Sequence, residues 1–178
     1  ARRGTELGKR MPKILKLFVR IVDAVNYRIG RATMYGFFLL LGVLLYSSFL
    51  KTFFNPSLWT LEVAQFVMAA YFILGGAYAL QLDDHVRMDL LYGNWSERTK
   101  TWVDIFTILC LIFYLFWMLY GGISSTQYAL HYNERSYSSW RPYMWPIKVV
   151  MTFGMLMILL QSVSILIKDI AKLRGEEI

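Results

Sequence analysis

Four stretches of the chain are apolar without interruption, at about 32–54, 60–82, 101–123 and 146–167, and each is close to the ~20 residues that ~30 Å of hydrocarbon requires. None has the two-residue alternation of a barrel strand. Each is therefore predicted to be a helix whose amides pair within their own segment. Ahead of the first stretch, Ile14, Phe18, Ile21, Val25 and Ile29 recur at helical spacing, while Lys13, Lys16, Arg20 and Asp23 populate the other side. This pattern predicts an amphipathic interfacial helix over 12–30, lying along the lipid headgroups, with a simple cytoplasmic extension of the first span as the alternative. The expected fold is an all-α membrane protein. A basic extension covers 1–11, the interfacial helix 12–30, a four-helix transmembrane domain 31–170 and a tail 171–178. No small-residue cleavage site follows a short apolar core, so the start does not read as a signal peptide.

Composition agrees with that division. Hydrophobic residues make up 57% of the chain and aromatic residues 17%, above the roughly 45–50% apolar usage of soluble domains. The 19 Lys and Arg residues are distributed unevenly. Nine precede the first span, three (Arg87, Arg98, Lys100) lie in the second connection and three (Lys168, Lys172, Arg174) in the tail, against four (Lys51, Arg135, Arg141, Lys148) in the other connections. Basic residues are retained on the cytoplasmic side during insertion, so both termini and the connection around 83–100 are expected to be cytoplasmic, as in a multi-pass protein of a bacterial inner membrane. The net charge of +7 is then a topology signal and no nucleic-acid partner is expected. Cys110 is the single cysteine, which excludes an internal disulfide, and its place within a span reads as a small packing residue.

Several polar groups interrupt the apolar pattern. Trp59 stands at an expected interface position and Glu62 follows it by one turn. Glu62 has two readings: a buried carboxylate able to carry protons, or a helix-start acid favoured by the dipole and reached by interfacial water; its nearness to the boundary favours the second. Gly75, Gly76, Ala77 and Ala79 form a small-residue face suited to close helix contact. Immediately after that span comes Asp83-Asp84-His85-Val86-Arg87-Met88-Asp89-Leu90-Leu91. His85 and Asp89 are four apart and share a helix face, Arg87 reaches phosphates or a carboxylate, and Leu90 and Leu91 dip into the interface. With no second histidine nearby the cluster reads as a docking motif, not a metal site. The outer connection carries Glu134, Ser136, Trp140, Pro142, Trp145, Pro146 and Lys148, in which Pro146 suits a first helical turn and Lys148 can snorkel.

Trp59-x-x-Glu62, the Gly75-Gly76 pair, the string His85 to Leu91 and the four-span plan resemble the small membrane subunit, DctQ-like, of tripartite ATP-independent periplasmic (TRAP) transporters. The Trp140 to Lys148 string and Gln161 further resemble the branch labelled for mannitol or chloroaromatic compounds. In that family the resemblance implies a periplasmic substrate-binding protein, a large elevator-type subunit (DctM-like) that couples organic-acid uptake to sodium, and a small subunit that braces the scaffold. It assigns Trp59, Glu62, Gly75, Gly76, His85, Arg87, Asp89, Trp140, Pro142, Trp145, Pro146 and Lys148 to subunit contact or structure, with no cofactor. The chain itself carries no nucleotide-binding loop and no Ser/His/Asp arrangement, so no enzymatic activity is expected. Membrane lipids are the remaining expected partner. The rival reading is a self-sufficient four-helix, proton-coupled exporter using Glu62.

Overall fold

The computed structural model describes residues 12–82 and 97–173. Pro12, which lacks an amide and stands in extended backbone (φ −51°, ψ 134°), immediately precedes α1, Lys13–Met34. Its carbonyl accepts the Leu15 amide at 2.9 Å and starts the helix. At Tyr35 the amide bonds back three residues, to the Ala32 carbonyl, and the ladder tightens before α2, Gly36–Phe53. A turn through Asn55 and Pro56 leads to α3, Thr60–Gln81. The last two helices are α4, Glu97–His131, and α5, Trp145–Leu173.

Among the described residues, four helical stretches are long and apolar enough to cross a membrane: the joined α1–α2, α3, α4 from Thr99 onward, and α5. The expected spans at about 101–123 and 146–167 lie inside α4 and α5, which are longer, while those at about 32–54 and 60–82 end one residue past α2 and α3. At 1.5 Å per residue, the 35 residues of α4 extend about 52 Å and the 29 of α5 about 43 Å, beyond the ~30 Å of hydrocarbon. Both therefore continue into the polar layers, where water satisfies side chains and a helix needs no apolar run to persist.

The packing is an open row, not a closed bundle. Among the described residues α2 packs on α3, α3 on α5 and α5 on α4, while α1 touches α3, α5 and α2. Neighbours along α3 climb the α1–α2 chain as α3 descends: Thr60 meets Ser47, Tyr71 meets Gly36, Tyr78 meets Gly30 and Gln81 meets Asp23. The α1–α2 chain is thus antiparallel to α3 along its length. Ile73 against Gly154 and Gly76 against Ile158 make α3 and α5 parallel, and Gly122 against Met155 with Thr126 against Thr152 make α4 antiparallel to α5. The α2–α3 and α4–α5 connections therefore share one end of the row, the loop end, and α1 begins at the other, the arm end. α5, with neighbours on three sides, holds the most buried positions, and α2 holds none.

Two expectations are corrected here. Asp23, placed on the solvated face of the first helix, turns toward α3 and α5; the packed stripe is Val19, Val22, Asn26 and Gly30, and Ile14, Ile21 and Val25 stay exposed. That stripe carries too many polar and small residues to register as apolar periodicity. Cys110 is exposed on α4 and is not a packing residue within the chain. An outer member of a row has one covered side, so most of α4's surface points away from the other helices.

Candidate subunit interface

At the loop end, residues 132–144 form a closed turn. Asn133 adopts a left-handed conformation (φ 49°), and the Glu134 amide bonds to the Ala129 carbonyl at 3.1 Å, a C-terminal cap that satisfies an otherwise orphaned carbonyl. The Met144 amide donates to the Glu134 carbonyl and the Ser136 amide to the Pro142 carbonyl, both at 2.9 Å, flanking an isolated antiparallel bridge between Arg135 and Tyr143. Arg135 donates to the Tyr143 hydroxyl and its guanidinium also stacks 4.4 Å from that ring. The Lys148 ammonium donates to Glu134 Oε2 at 2.5 Å and pins the first turn of α5 to the end of α4. Pro142 is half-buried beneath this turn, whereas Trp140, Trp145 and Pro146 are exposed. The structure thus joins Glu134, Pro142 and Lys148 into one brace. The two tryptophans are left facing outward beside it.

On α3 the expected residues separate. Trp59 is exposed and its ring lies 6.0 Å from that of Tyr46. Glu62 is only 7% exposed and both of its carboxylate oxygens lack a partner, which corrects the expectation that it reaches interfacial water. An all-round apolar helix gives no periodic cue to which side faces its neighbours, and this acid lies on the packed side. Gly76 faces α5, where a β-carbon would meet Ile158 Cδ1 at 3.3 Å. Gly75, where a β-carbon would meet nothing within 4 Å, lines together with Gly76 a crevice of about 330 Å³ shared with Gly30, Thr33, Tyr71 and Ala79. His85, Arg87 and Asp89 lie outside the described residues.

The cluster that pattern reading missed lies toward the arm end. Asp23 on α1 gathers three donors from α5: Gln161 Nε2 at 3.1 Å and the Ser164 hydroxyl at 3.2 Å on one oxygen, and the Lys168 ammonium at 2.6 Å on the other. Asn26 Nδ2 donates to Gln161 Oε1 at 2.5 Å, and Gln81 Nε2 donates to the Asp23 backbone carbonyl at 3.1 Å. Gln161 is 0% exposed and Asn26 2%. Polar groups removed from water and lipid in this way must find one another, so the network fixes α1 against α3 and α5 in a single register. The available signal was the i, i+3, i+7 spacing of Gln161, Ser164 and Lys168 on an otherwise apolar helix.

Outward from the row, α4 presents Trp102, Phe106, Phe113, Phe116, Trp117 and Tyr120, all exposed. The described residues offer braced loops, locked helices and large exposed apolar faces. No individual curated protein matches the chain. Residues 40–172, from the first third of α2 to the last turn of α5, match the family described as tripartite ATP-independent periplasmic transporters, DctQ component. That match takes in the later part of the first candidate span and runs through the other three, and this multi-pass membrane chain belongs to the DctQ family of TRAP transporter components.

Proposed function

We propose that this chain is the stationary scaffold subunit of its transporter, bracing a large elevator-type membrane subunit, DctM-like, that takes organic acids from a periplasmic binding protein and couples their uptake to sodium. The observation that carries the reading is the open row. A closed bundle covers its own apolar faces, but here α2 buries no residue and α4 shows a continuous aromatic surface. Large exposed apolar faces on a family component built to work with others suit attachment to a second membrane protein as well as to lipid. The internal locks agree: the Asp23 network and the Glu134–Lys148 brace resist sliding of one helix past the next. A part that holds another still must be rigid. In this reading both termini are cytoplasmic, the loop end is periplasmic, and Trp59, Trp140, Trp145 and Pro146 sit where the binding protein and large subunit meet the membrane surface.

One observation favours a second reading. Glu62 is buried without a partner for either oxygen, the situation of a carboxylate that exchanges protons in a self-sufficient exporter. The two readings part in vesicles. The purified chain alone, reconstituted with an imposed pH gradient, is expected to leave ethidium distribution unchanged, and Glu62→Gln to make no difference. Gradient-driven movement of the dye that Glu62→Gln abolishes would replace the scaffold reading with the exporter.

A further inference from the structure

A groove of about 510 Å³ runs between α4 and α5 at the loop end. Its walls descend together, from Lys148 through Met151 to Met155 on α5 and from Ser125 through Gly121 to Tyr114 on α4. At 1.5 Å per residue these walls are about 10 and 16 Å long, the depth of one leaflet's hydrocarbon. Gly121 keeps the groove open: a β-carbon placed there meets nothing within 4 Å, although the adjacent Gly122 is pressed against Thr152. Met118, Met144, Met151 and Met155, four of the nine methionines in the chain, line it. Unbranched thioether side chains conform to a flexible occupant better than β-branched ones do. The charge stands at one end. Lys148 is at the rim, its side chain 20% exposed, and Arg135 and Arg141 lie in the loop above, against the single acid Glu134.

We propose that this groove binds one acyl chain of a glycerophospholipid from the leaflet at the loop end, with its phosphodiester held by Lys148. The dimensions do not admit a whole partner helix. A helix with its side chains is about 10–12 Å across, so a leaflet-deep segment fills well over ~1,000 Å³. A single hydrocarbon chain fits the volume, the soft lining and the one charged end together. The bound lipid then fills the space between α4 and α5 below the Glu134–Lys148 brace and becomes part of the scaffold. A guest side chain from another protein is the competing occupant.

The test places the full-length chain, with the membrane partners that co-purify, in vesicles of phosphatidylethanolamine and phosphatidylglycerol. A trace of phosphatidylglycerol carries a photoreactive diazirine at the end of one acyl chain. Labelling is expected to concentrate at Met118, Gly121, Met151 and Met155. Gly121→Leu, which fills the groove and favours helix, should abolish that labelling, while Gly42→Leu, an equally unhindered glycine on α2, should not. Lys148→Gln should lower labelling about threefold to fivefold, the worth of one partly exposed charge contact. Labels spread evenly over the exposed faces of α2 and α4, or groove labelling unchanged by Gly121→Leu, would overturn the proposal. So would labelling of the isolated chain that disappears in the complex, because a partner side chain would then own the groove.

Discussion

Asp23 illustrates how a single carboxylate can organise helices in lipid. It accepts from Gln161, Ser164 and Lys168, and the first two are wholly buried, so its removal takes a charged acceptor from donors held away from water. Asp23→Ala is expected to cost about 2–4 kcal/mol, seen as a lowered thermal midpoint in detergent, and to expose α1 to protease. Asp23→Asn keeps an acceptor oxygen and should lose less. Equal midpoints for the alanine variant and the parent would show that the network is incidental. By contrast, the Glu134–Lys148 pair is partly exposed and works mainly as a positioning device, since such pairs contribute under about 1 kcal/mol. Glu62 is the unusual residue. Its burial without a partner is a cost that the rest of the chain carries, and its meaning depends on what adjoins α3 in the assembled transporter.

At the scale of elements, close approach depends on glycines. A β-carbon at Gly154 would collide with the Ile73 side chain, and one at Gly30 with Tyr78, so these two positions set the α3–α5 and α1–α3 distances. Gly154→Leu should destabilise by about 1–3 kcal/mol through overpacking, whereas Gly42→Leu should be neutral or mildly stabilising. Chemical or thermal unfolding of the two variants side by side checks the contrast. Gly154 and Gly30 were not distinguishable in the sequence from Gly42 or Gly121, because an apolar run gives no sign of which residue faces a neighbour. The number of spans and their approximate positions were legible, since ~20 apolar residues are needed to cross and the chain meets that requirement four times. Helix ends were not: α4 runs on through Ser124, Ser125 and Thr126 to His131, where polar residues no longer mark an end once the helix has left the hydrocarbon. The packed face of α1 was hidden for the opposite reason. Its polar residues looked solvated because their partners lie some 135 to 145 positions away.

For the whole molecule, the open row is the property that no local pattern contained. Helices apolar on every side can be arranged as a bundle or a row, and among the described residues α4 packs on α5 without closing onto α2. A row has two broad faces, and among the described residues only α1 packs across the row, toward its arm end. His85, Arg87 and Asp89 fall between α3 and α4 in the sequence. Replacing His85 and Asp89 together with alanine is expected to reduce recovery of the assembled transporter, or its flux, without changing which substrates it prefers. Undiminished assembly and flux in that double variant would remove the docking role from the motif.

A chain that holds a companion and does not transport alone should leave the membrane together with that companion. The most direct measurement is purification of the tagged chain from native membranes in mild detergent, followed by identification and counting of what migrates with it. A much larger multispanning protein in fixed ratio is the expected result. A solitary, stable homo-oligomer of this chain would contradict it.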